Sequence, residues 1–260
     1  MSLKTHVLNL IKYKDLFVEL VMKDINLKYR NSILGVFWSL LNPLLMTAVL
    51  SIVFMALFRN DVPNFPVYVL IGRILYQFFS ESTNFAMDAI HGNAQLIRKV
   101  YVPKYFFPLA RVVSSFITTL IALLTVIIMM TILGIPFKWI NFLAVIPLFY
   151  LLATVSGIGL LLSSINVFFK DMKHFYSIIL LVVMYMTPIF YPASIIPDQY
   201  KILVMLNPLY PIVEMFRDVL MYGVMFDPTA HLLSVIYMFF YGGLGLFVFY
   251  KTQDRFIYHL

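Results

Sequence analysis

Apolar residues run along this chain in six long blocks, roughly residues 33–58, 67–90, 105–132, 142–169, 175–190 and 232–250. About 20 apolar residues in helical conformation cross the ~30 Å hydrocarbon core of a bilayer. The blocks predict an all-α polytopic membrane protein with six transmembrane helices. Prolines mark the short connections after the first and third blocks, Asn60-Asp61-Val62-Pro63 and Gly134-Ile135-Pro136. No internal repeat is visible and no polar stretch is long enough for a soluble domain, so residues 1–260 read as a single transmembrane domain.

Two stretches outside the blocks carry their own patterns. In residues 1–31, Tyr13, Leu16, Phe17, Leu20, Val21 and Ile25 recur at helical spacing, with Lys12, Lys14, Asp15, Glu19, Lys23 and Asp24 on the other side. This predicts an amphipathic helix in the cytoplasmic interface, with Glu19–Lys23 and Asp24–Lys28 as four-residue ion pairs. It is either a plain interfacial anchor or a surface gripped by a cytoplasmic partner. Residues 191–231 contain Pro192, Pro197, Pro208, Pro211 and Pro228, which divide apolar pieces too short to span. They predict two short re-entrant helices between spans five and six, covered by protein or lining a wet path. Glu214, Arg217 and Asp218 share a face of the second piece, as a local ion-pair cluster or as gate residues.

Composition excludes the soluble alternatives. The chain is 62% hydrophobic and 12% charged, with a mean hydropathy of +0.91, against about 25% charged residues in a soluble domain. It has no cysteine, which removes disulfides, thiolate metal sites and cysteine nucleophiles. The first 31 residues are charged and lack a long apolar core, so no secretory signal is expected. The net charge of +7 is accounted for by topology and not by nucleic-acid binding. Lys4, Lys12, Lys14, Lys23, Lys28, Arg30, Arg98, Lys99, Lys104, Lys170, Lys173, Lys251 and Arg255 fall on one side of a six-span layout; Arg59, Lys138, Lys201 and Arg217 fall on the other. Basic residues concentrate in cytoplasmic loops, which puts both termini in the cytoplasm.

Candidate chemistry lies mainly in span two. Arg73, Gln77, Ser80, Glu81, Asn84, Asp88 and His91 recur every three or four residues and form a polar stripe. Ionisable residues at membrane depth face a bundle interior or a wet path. The stripe is either the wall of a translocation path or glue between helices, with Asp88 paired to Arg111 and Glu81 to a hydroxyl. Tyr76 and Phe79 lie beside it, where rings can stack on sugars or acyl chains. The loop after span two, residues 92–104, is basic and long enough for a short helix: a solvated loop or a docking helix. The chain has no Gly-x-x-x-x-Gly-Lys-Ser/Thr phosphate loop, no histidine pair at zinc spacing and no Gly-x-Ser-x-Gly elbow.

Several segments together resemble the type-2 ABC exporter permeases, in the branch that exports polysaccharides and teichoic acids. Asp24-Ile25-Asn26-Leu27-Lys28-Tyr29-Arg30-Asn31-Ser32-Ile33-Leu34-Gly35-Val36-Phe37-Trp38, then Pro43, resembles the approach to span one. Asn93 to Pro103 is similar to the cytoplasmic coupling helix. Asn166-Val167-Phe168-Phe169-Lys170-Asp171-Met172-Lys173-His174 resembles the second cytoplasmic loop, where Arg is commoner than Lys170. Pro188 through Tyr191, then Pro197 and Asn207-Pro208, resembles the outer re-entrant gate.

The resemblance implies a permease subunit, not an enzyme, of an exporter of lipid-linked O-antigen, capsule or teichoic acid in the bacterial inner membrane. It implies a homodimer docked to two copies of a separate ATPase that binds ATP and Mg, with a polyprenyl-linked glycan as substrate. It assigns coupling to Leu96, Arg98, Lys99, Tyr101, Pro103 and Lys104. The outer gate comprises Tyr191, Pro192, Pro197, Asn207, Pro208, Glu214 and Arg217. Lys28 and Arg30 lie near the inlet for the lipid diphosphate, and the span-two stripe lines the path. Two rivals stay open: a membrane enzyme acting on polyprenyl-linked sugars through Glu81 and Asp88, and a secondary or small-molecule transporter.

Overall fold

A computed structural model describes residues 12–58, 62–100 and 102–260. All of its regular structure is helical, with no strand among the described residues. Helix α1 (Lys14–Tyr29) precedes α2 (Trp38–Phe58), which a 3-10 turn at Gly35–Phe37 introduces. Next come α3 (Phe65–Met87), α4 (Ala89–Gly92), α5 (Ala94–Lys99) and α6 (Phe106–Ile132). A 3-10 turn at Trp139–Ala144 leads into α7 (Val145–Phe168), followed by α8 (Met172–Met186). The proline-rich segment forms α9 (Asp198–Met205) and α10 (Leu209–Arg217), and α10 runs on as a π turn, Asp218–Tyr222. The chain ends with α11 (Pro228–Thr252), a 3-10 turn at Gln253–Arg255 and α12 (Phe256–His259).

Among the described residues, four stretches are long and apolar enough to cross a membrane: Gly35–Phe54, Phe106–Ile132, Trp139–Phe168 and Pro228–His259. Met172–Met186 is apolar but shorter. Helix α3 has the length, 23 residues, but carries the polar stripe. The fold answers this by enclosure: Val67, Val69, Leu70, Ile71 and Leu75 are fully buried, with α2, α6, α7 and α10 packed around α3. A helix with Arg73 and Glu81 avoids a lipid face because desolvating a charge at membrane depth costs several kcal/mol.

Local chemistry sets the ends of these elements. Pro66 sits in the first turn of α3, where its missing N–H is an orphan in any case. Asp227 caps α11 by accepting from the Ala230 N–H, with Pro228 as the first helical residue. Pro43 lies inside α2 and cannot donate to the Ser39 carbonyl one turn earlier. That leaves an unmatched polar backbone group where α2 starts.

Two large apolar clusters divide the described residues, with a small third one around Met215, Val219, Phe226 and Ala230. The larger holds α3 against α6, α7, α8 and α10. The second joins Leu20 and Val21 of α1, Ile97 of α5, Val102, Phe106 of α6, Leu160 and Val167 of α7, Phe249 of α11 and Phe256 of α12. The predicted amphipathic face of α1 is real, but the chain itself covers it: Tyr13, Leu16, Phe17 and Ile25 pack onto this cluster, and the Phe17 ring lies 5.5 Å from that of Phe106. The expected pairs within α1 are replaced by longer-range ones. Asp24 meets Arg111 of α6 at 3.2 Å and Lys28 meets Glu81 of α3 at 2.6 Å.

Candidate translocation site

The stripe on α3 divides into three stations. At the inner station, Gln77 and Glu81 line a cavity of about 100 Å³ with Lys28, Tyr29, Ser39, Asn42, Pro43 and Thr118. The Tyr29 and Ser39 hydroxyls bond to each other across its mouth. A second small cavity shares Lys28 and Thr118 and contains the Asp24–Arg111 pair. Burial holds the Asp24 carboxyl above its usual range, with Arg111 opposing. Glu81 therefore has an ammonium partner, not the hydroxyl expected from sequence. Arg30, at the C-cap of α1, faces away from this cavity and lines a separate groove with Lys23, Asn26 and Val36. Lys28 and Arg30 thus line adjoining cavities, with Tyr29 between them lining both.

A prediction follows from the Lys28–Glu81 contact, in which both side chains are roughly one-quarter to one-third exposed. Glu81→Lys puts two ammonium groups together and loosens α1 from α3, and Lys28→Glu does the converse. The double reversal restores the attraction, with a coupling energy of about 1 kcal/mol on thermal stability. Strict additivity of the two single effects disproves the contact.

At the next station, Asp88 ends α3 and pairs with Lys173 of α8 at 2.7 Å. The expected Asp88–Arg111 pair does not form, because Arg111 is drawn to Asp24. Asn166, fully buried in α7, donates to Asp88 Oδ1 (3.2 Å) and to the Met87 carbonyl (3.0 Å). The His91 ring lies 3.2 Å from the Asn166 carbonyl oxygen. Asn166 belongs to a motif noticed in the sequence, but its bridging role was not legible there. The available signal is a carboxamide one turn from the end of an apolar span.

The other stripe residues and their neighbours make local contacts. Ser80 donates to the Gln77 carbonyl, Tyr76 to the Leu180 carbonyl of α8, and Asn84 and Arg73 are half-buried. Phe79 is buried in the core and offers no free ring face.

A third station is organised by Arg217, which is 0% exposed. Its Nη1 donates to Glu214 Oε1 at 2.8 Å, and its Nη2 to the carbonyls of Pro188 (2.8 Å) and Tyr68 (3.3 Å). The guanidinium carbon stands 3.4 Å from the centre of the Tyr68 ring. The Tyr68 hydroxyl donates to the Tyr191 carbonyl. This node ties α3, α10 and the segment after α8 together. A Cβ on Gly72 would lie 2.9 Å from Arg217 Nη2, so the missing side chain makes room for the guanidinium. Tyr68 went unnoticed in the sequence, where one tyrosine among 17 gives no signal. Asn207 caps α10 by accepting from the Leu209 N–H, and donates to Thr187 Oγ1 at 2.7 Å. Pro192 is buried, Pro208 precedes α10, and exposed Pro197 starts α9 away from the node. Asp218 belongs to the π turn and accepts the Val224 N–H through its carbonyl.

Of the residues to which the resemblance assigns coupling, those described follow one another along α5 and the start of the connection to α6. Arg98 and Lys99 are exposed on α5, and Leu96 packs against the second apolar cluster. Lys23, His91, Asn93, Gln95, Leu96 and Lys99 line one open groove. Pro103 and Lys104 follow in the connection to α6, and Tyr101 lies outside the described residues.

The sequence matches the ABC-2 type transporter family over residues 15–221. It is 29% identical to the O-antigen export system permease protein RfbA of Klebsiella pneumoniae, over 98% of both chains. It is 29% identical to an RfbA of Myxococcus xanthus, over 82% of this chain and 83% of that one. It is 28% identical to the polysialic acid transport protein KpsM of Escherichia coli, over 91% and 92%. The family match runs from α1 into the turn after α10 and takes in all three stations and the coupling segment; the chain belongs to the ABC-2 type transporter family.

Proposed function

We propose that this chain is the permease subunit of an ATP-driven exporter that moves a lipid-linked cell-surface polysaccharide out of the bacterial cytoplasm. The observation that carries the reading is the similarity, over 98% of both chains, to a permease named for O-antigen export. The names of the other relatives concern O-antigen, polysialic acid or capsule polysaccharide. They favour an O-antigen or capsular glycan over a teichoic acid. Six spans result when enclosed α3 and short α8 are added to the four long apolar helices. Both termini then face the cytoplasm, in keeping with the basic residues of α1, α5 and the tail. Two copies of the chain and two copies of a cytoplasmic ATPase make the working unit, and ATP with Mg binds the ATPase.

The mechanism follows from how the stations are joined. The partner grips α4–α5 through exposed Arg98 and Lys99. Displacement there passes to the Asp88–Asn166–Lys173 junction and along α3 to the inner cavity and to Tyr68 at the Arg217 node. Helix α3 therefore links the inlet at Lys28–Glu81 to the outer gate. The enzyme alternative is disfavoured because Glu81 and Asp88 are each engaged by a lysine from a different helix.

The test is export in cells. Loss of the chain leaves the glycan on its lipid carrier at the inner face, and loss of ATP hydrolysis by the partner gives the same defect. Lys99→Glu reduces co-purification of the ATPase about tenfold or more, since opposing charges are placed at the docking surface, while the permease stays in the membrane. Glycan reaching the surface without this chain overturns the reading.

A further inference from the structure

The coupling segment is too small to hold its own shape. Helix α5 has six residues and one buried side chain, Ile97. Helices this short are unstable in isolation. Its position must come from its neighbours, and on one side α1 supplies Leu20 and Val21.

On the other side stands the C-terminal hook, the turn Gln253–Arg255 with α12, which lies beyond the residues of the family match. Phe256 is 0% exposed. Its ring meets Phe249 of α11 edge-on at 5.4 Å and Phe168 of α7 at 6.0 Å. The His259 ring stands against Phe168 at 4.8 Å. Lys104, where the coupling segment joins α6, donates to the Gln253 carbonyl at 2.6 Å and lies 5.9 Å from the centre of the Phe256 ring. Burial pulls the Lys104 ammonium below its usual range, with Asp254 opposing. The hook therefore touches the end of the coupling segment and the inner ends of α7 and α11 at once.

We propose that the C-terminal hook is a positioning element for the coupling segment: Phe256 and the Lys104–Gln253 bond tie that segment to α7 and α11, so that motion imposed on it moves those helices together with α3 and α6. This rests on the reading that α4–α5 receive the partner's motion. Without the hook, the segment loses its link to α11 and its second hold on α7, and ATP hydrolysis runs with little export. A simple cap on α11 would instead lower stability, leaving the ratio of export to hydrolysis unchanged.

The experiment uses the full permease–ATPase complex, with surface glycan measured in cells and ATP hydrolysis in membranes. Variants are Phe256→Ala, Phe256→Leu and Lys104→Met. Phe256→Ala and Lys104→Met are expected to cut glycan exported per ATP hydrolysed about tenfold, within the usual range of coupling energies, with ATPase co-purification retained. Phe256→Leu refills the pocket and restores most of the ratio. Because the chain has no cysteine, spin labels at Val100→Cys and Tyr258→Cys report on the tether directly. One narrow distance, unchanged when the partner binds ATP, is expected in the parent and broadens in Phe256→Ala. The proposal is overturned if export and hydrolysis fall in proportion, or if the labelled distance changes with ATP in the parent. Lys99→Glu separates the two readings: if it leaves docking and export intact, the coupling assignment fails; if it damages them while the hook variants keep the parental ratio, the hook proposal alone fails.

Discussion

Arg217→Met destabilises the protein by about 3–5 kcal/mol, the usual cost of breaking a buried ion pair by removing one partner. The guanidinium has no solvent contact, and four groups depend on it: the Glu214 carboxylate, the carbonyls of Pro188 and Tyr68, and the Tyr68 ring. Methionine fills part of the volume but leaves the carboxylate half-buried without a cation and two carbonyls without donors. Arg217→Lys also fails, because one ammonium cannot reproduce a fork that serves Glu214 and Pro188 in different directions. Glu214→Gln is milder, since the amide oxygen still accepts from the guanidinium. Thermal unfolding of the purified permease, together with protease sensitivity after residue 187, measures all three. Parental melting of Arg217→Met would mean that the node does not hold the outer segment.

The second large effect comes from two glycines on facing helices. A Cβ on Gly245 of α11 would lie 2.1 Å from the Gly157 carbonyl oxygen, and one on Gly157 of α7 would lie 2.4 Å from the Tyr241 carbonyl oxygen. Backbone stands against backbone here, so no side-chain rotation relieves the clash. Gly245→Ala and Gly157→Ala each cost about 3 kcal/mol, the upper end for overpacking. Gly242→Ala and Gly243→Ala are the internal controls, because nothing lies within 4 Å of either added Cβ. Those two are neutral or stabilise by up to about 1 kcal/mol through helix propensity. If all four substitutions behave alike, helix propensity and not close approach governs α11.

These cases mark how far the sequence could be read. The order and type of the long helices followed from apolar block length, because a bilayer sets the needed length and the code is local. The amphipathic face of α1 was legible for the same reason, as its period is set within one helix. The boundaries moved by a few residues: the second block ends at Met87 and restarts as α4 beyond Asp88, and the fifth is only 15 residues long. Asp88 and Asn166 decide the former, and the contact between them is invisible along the chain.

Charge partners were the weak point. The i,i+4 rule paired Asp24 with Lys28 and proximity paired Asp88 with Arg111. The fold pairs Asp24 with Arg111, Lys28 with Glu81 and Asp88 with Lys173. Each carboxylate joins a cation from another helix, whose position depends on how the helices pack. Sequence by itself determined the membrane class, the helical architecture, the surplus of basic over acidic residues and the family. Only the tertiary structure decided which helix is enclosed, which glycine is indispensable and which polar residues touch. Composition and periodicity are properties of one segment, whereas enclosure and pairing depend on how segments distant in sequence pack.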